Sequence, residues 1–259
     1  MSSSRPFYKP MRVKRGYSQL LSEAKEAYQK KGLYHVFRTG FTMVVEYMWL
    51  WYFKRFGSSY TFEFQGNTYY YLFHPRIEKT GPSWKNERAV SLPIIWNFVK
   101  KYQEQNKRIL EVGNVLSYVF KVNHDILDKY EITNGVINQD VADFNPSKQY
   151  DLIVSVVTLE HVGWSEISEE PMKILRAIQN LKRILAPGGQ IVAVVGLGYN
   201  PHMDDLLGKG ILQFDQQYYL KRISKYRWQQ VDWASVKDAK YDEAVPTSTG
   251  IVVGIIDKP

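Results

Sequence analysis

From Arg108 to the carboxyl terminus the chain consists of short apolar runs separated by polar turns: RILEVG, HDILD, GVINQD, YDLIVSVV and GGQIVAVV. Apolar runs without strict alternation suit strands covered on both faces, as in a parallel sheet. Between the fourth and fifth runs the period changes: Ile167, Met172, Leu175, Ile178, Leu181, Ile184 and Leu185 recur at helical spacing, and Pro187-Gly188-Gly189 stops the helix. Upstream, Val90 to Tyr102 predicts a helix leading into the first strand. Residues 60–73, YTFEFQGNTYYYLF, predict a β-hairpin turning at Gln65-Gly66-Asn67. Downstream, residues 212–224 predict a helix, and WQQVDWA and GIVVGII predict two closing strands that form a terminal antiparallel pair. Strands alternating with helices give an α/β domain over 86–259. Residues 1–85 form an extension of basic arm, aromatic helix and hairpin, placed to cap the substrate side.

The extension follows a different pattern. Phe41 to Phe53, FTMVVEYMWLWYF, is apolar apart from Glu46 and is flanked by Arg38, Lys54 and Arg55. It is too short to span a hydrocarbon core, which needs about 20 residues. It therefore predicts a core-packed helix or lid, a partner-binding helix, or an interfacial one. Trp49, Trp51 and Tyr52 beside cations suit a bilayer interface, which makes residues 38–55 a candidate peripheral membrane contact.

Charge sharpens this picture. The formal net charge is +8, and much of it lies in the first 40 residues, where Arg5, Lys9, Arg12, Lys14, Arg15, Lys25, Lys30, Lys31 and Arg38 face only Glu23 and Glu26. Such an arm attracts nucleic acid, an anionic membrane or an anionic substrate, or is simply a solvated tail. The absence of cysteine excludes disulfides, thiolate nucleophiles and thiolate zinc sites. The start, MSSSRPFYKPMRVKRG, lacks the apolar core of a secretory signal, so a cytoplasmic location is expected. His35, His74, His124, His161 and His202 stand far apart with no His-x-x-x-His pair, so no metal is expected.

The candidate chemistry sits at the ends of the apolar runs. Glu111 precedes Gly113 by two residues, Asp128 follows Glu111 by seventeen, and Asp140 comes twelve later. In an open parallel sheet, ligands bind outside the carboxyl ends of the strands where the strand order reverses, and a glycine lets the backbone turn tightly there. An acid about 20 residues beyond that turn accepts hydrogen bonds from paired ribose hydroxyls. Asp128 fits that role. Asp140 can accept from the exocyclic amine of adenine, with the N–H of Val141 donating to a ring nitrogen.

This order of acids, followed by TLEH and LAPGG, resembles the class I S-adenosylmethionine-dependent methyltransferases. The resemblance implies a Rossmann-like, doubly wound sheet of seven strands, mostly parallel with an antiparallel last strand, and S-adenosylmethionine as cofactor. It places Glu111, Gly113, Asn114, Asp128, Asp140, Val141 and Leu159 around that cofactor. The turn departs from the family pattern at Val115, where a second glycine is usual and a β-branched residue resists positive φ. Asn86-Glu87-Arg88 is similar to a run in a bacterial group of such enzymes with poorly defined substrates, and implies that Glu87 and Arg88 pair with the amino-acid end of the cofactor; on the residues alone it is equally a helix cap with an ion pair. After the fourth strand, Glu160 and His161 are candidate general bases, His161 being the natural one or else a loop brace, and His202 is a weaker third.

The implied activity is methyl transfer to a hydroxyl or amine of a small-molecule, sugar or lipid-linked acceptor. A non-catalytic binding protein of the same fold remains an alternative. So does a lipid-modifying enzyme, because EHVG is similar to a run in cyclopropane fatty acid synthases, although their active-site cysteine has no counterpart here. Nucleic acid is not an expected partner, since no Asn-Pro-Pro-Tyr run follows the fourth strand.

Overall fold

The computed structural model describes residues 17–56, 60–74, 81–166, 169–242 and 247–259. The basic positions of the first 16 residues and Ile167 of the predicted helix lie outside these. The chain starts with α1 (Tyr17–Phe56), broken at Gly32, whose φ of 79° and ψ of 170° are non-helical. The hairpin follows as β1 (Thr61–Phe64) and β2 (Asn67–Tyr70), paired from Thr61 opposite Tyr70 to Phe64 opposite Asn67. Next come α2 (Arg88–Glu104), β3 (Ile109–Val112), β4 (Asp125–Leu127), β5 (Val136–Ile137), β6 (Tyr150–Val156), α3 (Lys173–Ile184) and β7 (Leu185–Gly196). The remainder is α4 (Pro201–Gly208), β8 (Gln216–Ser224), β9 (Arg227–Val231), α5 (Trp233–Val236), β10 (Tyr241–Asp242), β11 (Thr247–Ser248) and β12 (Gly250–Asp257).

Eight strands form the main sheet in the order β5-β4-β3-β6-β7-β12-β8-β9. The five strands from β5 to β7 are parallel, whereas β12 runs antiparallel to both neighbours and β9 is antiparallel to β8. Successive side chains on the strands point to opposite faces, and each face is covered. On one face, Ile109, Leu152, Val154, Val192 and Val194 pack with Val90, Ile94 and Ile95 of α2 and with Phe62, Phe64 and Leu72 of the hairpin region. On the other, Leu110, Ile153, Ile191, Ala193 and Val195 pack with Ile174, Ile178 and Leu181 of α3, with Met203 and Leu206 of α4, and with Val236 of α5. Double coverage is why these strands read as unbroken apolar runs.

Two expectations need correction. The stretch predicted as a helix over 212–224 contains the nine-residue strand β8, and its YYLKRI core lies beside β12, pairing Leu220 with Ile251 and Tyr219 with Val252. Its mixed polarity suits a partly covered outer strand, and tyrosine favours strands. The two closing strands do not pair with each other, because β8 lies between them, and β9 adds an eighth strand to the seven expected. Among the described side chains of the aromatic segment 41–53, Leu50 and Phe53 are buried, at 8% and 3% exposure.

Candidate functional site

The order of strands reverses between β3 and β6. A pocket opens at their carboxyl ends, lined by Gly113, Asp128, Lys129, Gln139, Asp140, Val141, Thr158, His161 and Glu166 among others. Five residues predicted from the sequence, Gly113, Asp128, Asp140, Val141 and His161, thus meet in one recess. Gly113 has a φ of 85°, and a Cβ there would overlap the Thr158 side chain. Glycine is therefore required on two counts, conformation and the close approach of the β6 loop.

The turn after Gly113 is held from inside. Glu111 is fully buried; its Oε1 accepts from the N–H of Val115 at 2.8 Å and of Leu116 at 2.7 Å, and its Oε2 pairs with His124 Nε2 at 3.0 Å. Both oxygens are thus engaged, Oε1 by the turn and Oε2 by His124, so any order Glu111 gives a ligand is passed through the loop. Val115 has a φ of −116° and is itself buried in the core with α2. A negative φ explains why the second glycine is dispensable. The turn leads to a single 3-10 turn, Leu116–Tyr118, in place of a full helix.

Asn114 ties this turn to the end of β4. Its N–H donates to Asp128 Oδ2 at 3.3 Å, its Nδ2 donates to Glu131 Oε1 at 2.6 Å, and its Oδ1 accepts from Ser117 Oγ. Asp128 Oδ1 accepts from the N–H groups of Tyr130 and Glu131 at 2.9 and 2.8 Å. A carboxylate offers about four lone-pair sites, and these three bonds leave one direction for a hydroxyl donor.

The adjoining acid belongs to a four-residue ion cluster. Asp140 Oδ2 lies 2.8 Å from Lys129 Nζ and 2.6 Å from Lys173 Nζ, and both lysines also reach Glu166, at 2.7 and 2.6 Å. Burial alone would raise the Asp140 pKa, but hydrogen bonds from Lys129, Lys173 and the N–H of Ala142 outweigh it and hold the group at about 2. Glu166 is held low in the same way. The same carboxylates overcome the effect of burial on Lys129 and keep it firmly charged. Sequence reading missed Lys129, Glu166 and Lys173, whose separation along the chain gave no motif.

The opposite rim follows β6. Val157 takes a φ of 50°, a strained value for a β-branched residue, and turns the chain into Thr158-Leu159-Glu160-His161. The Leu159 side chain is buried in the core under α3 and does not line the recess. Glu160 is 2% exposed, and its Oε1 accepts from the N–H of Gly196 at 3.0 Å. Oε2 has no partner among the described residues. Burial pushes its pKa up to about 8, with the neighbouring Glu87 adding to the rise and Arg88 opposing it.

His161 presents its imidazole at the mouth. Its Nδ1 lies 3.0 Å from Ser165 Oγ, which lies 2.7 Å from Tyr199 OH, and its ring sits 4.6 Å from that of Tyr199. The ring keeps solvent contact, yet the protein crowded around it, and the charge of Arg88, lower its pKa to about 4. It is neutral near pH 7.

Glu87 and Arg88 lie behind this rim rather than in the recess. Both are buried, paired at 3.2 Å, and Glu87 Oε2 accepts from Thr247 Oγ1 at 2.8 Å and the N–H of Ser248 at 3.2 Å. They fasten β11 beside Gly196 and Glu160. His202 is exposed at the start of α4, whose first turn is capped by the Asn200 side chain, and its ring is 5.4 Å from that of Trp164. Among the described residues no cluster of histidine and acidic side chains can hold a metal ion.

No protein-family model matches the sequence. No curated protein matches it either. Among solved structures, the chain is similar to the N-methyltransferase NodS of Bradyrhizobium japonicum with S-adenosyl-L-homocysteine: 13% identity over 68% of this chain and 94% of that one, TM-score 0.38. TehB of Haemophilus influenzae overlaps 67% of this chain and 65% of its own at 13% identity, TM-score 0.35. The sugar N-methyltransferase KedS8 of a Streptoalloteichus species overlaps 65% and 87% at 14% identity, TM-score 0.33. Overlaps this loose do not bear on chemistry, and the strand order has to speak for itself. By that order, with β12 inserted antiparallel between β7 and β8, the chain has a Rossmann-like, doubly wound α/β fold.

Proposed function

We propose that the protein is an S-adenosylmethionine-dependent methyltransferase acting on a hydroxyl or amine of a small-molecule, sugar or lipid-linked acceptor. The observation that carries the reading is the convergence of Gly113, Asp128, Asp140 and Val141 in one recess at the strand-order reversal, where such sheets bind ligands. The donor set fits an adenosine: Asp128 retains one acceptor direction toward a ribose hydroxyl. Asp140, with three of about four lone-pair sites taken by Ala142, Lys129 and Lys173, retains one toward an amine. When bound, the cofactor supplies an electrophilic methyl on a sulfonium.

The residues after β6 would position the acceptor. Tyr199 packs against His161, and Tyr241, its ring centroid 4.7 Å from that of Tyr199, extends the aromatic wall. With a pKa near 4, His161 is in the right form to accept a proton but is a weak base. Glu160, with a pKa near 8, is largely protonated at neutral pH and is better suited to donating a hydrogen bond than to abstracting a proton. Catalysis on this scaffold therefore rests mainly on alignment of the acceptor.

A second reading, a non-catalytic protein of the same fold, draws support from the Glu111 carboxylate turned inward and the single 3-10 turn where a helix is usual. Calorimetric titration with S-adenosylmethionine and S-adenosylhomocysteine separates the two. Micromolar binding of both, lost in Asp128→Ala, is the expected result. A folded sample that binds neither would overturn the cofactor reading.

A further inference from the structure

Net charge divides the chain in two. Residues 1–56 hold eleven of the 34 lysines and arginines but only three of the 26 acids, a net +8, while the other 203 residues hold 23 of each sign. The same segment carries the largest apolar exposure among the described residues. Leu33, Tyr34, Phe37, Phe41, Tyr47, Met48 and Trp51 of α1 are each more than 60% exposed. A run of exposed large apolar side chains along one element marks an interaction surface.

The helix has two faces. Leu50 and Phe53 pack on Trp84, with Tyr60, Phe73 and Tyr226 around them, and Phe53 stacks on Phe73 at 4.0 Å. Glu46 is the only acid between residues 33 and 56, and it is turned to this inner side, 3.4 Å from Lys85. The outer face, through Phe37, Phe41, Val44, Met48 and Trp51, therefore carries no negative charge, and Arg38 and Arg55 are exposed along the same helix.

We propose that the outer face of α1 from Leu33 to Phe56 docks on an anionic lipid surface, its aromatic and aliphatic side chains entering the headgroup boundary and its arginines meeting lipid phosphates. Charge complementarity selects this occupant. The spacing of Phe37, Phe41, Val44, Met48 and Trp51 also matches a helix-pairing seam, but a second copy would bring two segments of +8 side by side. No described helix is long and apolar enough to cross a membrane, so the helix lies on the surface. The inner face ends at Trp84 and Lys85, just before Glu87 and Arg88, and so joins the docked helix to the rim of the pocket. The docking itself does not rest on the pocket's being a methyl-transfer site.

Vesicle sedimentation of the full chain tests this, with phosphatidylcholine alone against phosphatidylcholine mixed with phosphatidylglycerol. Binding to the anionic vesicles should exceed that to neutral ones and weaken as salt is raised. The triple variant Phe41→Ser, Met48→Ser, Trp51→Ser should bind more than about tenfold less while keeping the wild-type thermal unfolding curve. Absence of binding by the wild type, or equal binding by the folded variant, would overturn the proposal. A dimer that the variant abolishes, without vesicle binding, would assign the face to a second copy instead.

Discussion

The two rims of the pocket carry the same kinds of acid in opposite states. On the β4–β5 side, Asp140 is partly buried but meets two lysines and stays ionised, with a pKa near 2. On the β6 side, Glu160 is more deeply buried and meets one backbone N–H, and its pKa rises to about 8. Burial pushes both carboxyls upward; hydrogen-bonded partners decide which is overruled. One rim is thus a fixed charge array. The other holds groups that are neutral at physiological pH, Glu160 protonated and His161 unprotonated.

The contrast can be broken most severely where the rims touch. In Gly113→Ala the Cβ would strike the Thr158 side chain and demand a positive φ. The expected loss is about 3 kcal/mol in urea unfolding, with S-adenosylhomocysteine binding abolished; wild-type stability would show that the rims are less tightly joined. Next, Lys173→Met removes a buried cation from Asp140 and Glu166 and leaves Lys129 alone to hold them. A cost of about 2 kcal/mol is expected, below that of fully breaking a buried pair because one lysine remains. Because the folded pKa of Asp140 is depressed, its contribution is present above the unfolded value near 3.8 and lost as pH falls toward 2. In Lys173→Met, where Asp140 is less depressed, that acid loss should be smaller and should be complete at a higher pH.

Glu160→Gln sharpens the other rim. The folded pKa of Glu160 is raised, so its contribution is present below the unfolded value of 4.5 and lost as pH rises through about 8. Wild-type stability should therefore fall across that window by up to about 1.4 kcal/mol per pH unit, and the glutamine variant should lack this slope. Chemical denaturation at intervals of pH reads it directly. The smallest effect on stability is expected from His161→Ala, because the ring keeps solvent contact. Its value lies in NMR: the His161 resonance, assigned by its loss in that variant, should not titrate near pH 6.5, and a normal midpoint would mean the ring is solvated like a free histidine.

The sequence was most legible where local rules dominate. The glycine turn, the hairpin at Gln65-Gly66 and α2 followed from turn chemistry and periodicity, as did the acids at strand ends, because each depends on neighbours within a few residues. Residues 212–224 misled because β8 is a strand by virtue of its pairing with β9 and with β12, the latter a partner some thirty residues away. Likewise, the pattern around Trp49 gave a helix correctly but not which face is covered, since Leu50 and Phe53 are selected by Trp84 and Phe73.

By itself, then, the sequence determined that this is an α/β chain with a tight glycine turn at Gly113 and acids at 128 and 140, since covalent spacing fixes which residues end a strand. Only the tertiary structure decided what state those groups take. Glu111 turned inward to hold its own loop, Lys173 came from a helix thirty-three residues beyond Asp140 to keep it charged, and Glu160 was left with one backbone donor in the interior. Ionisation and accessibility depend on neighbours in space, and folding brings those together from positions that no local pattern links.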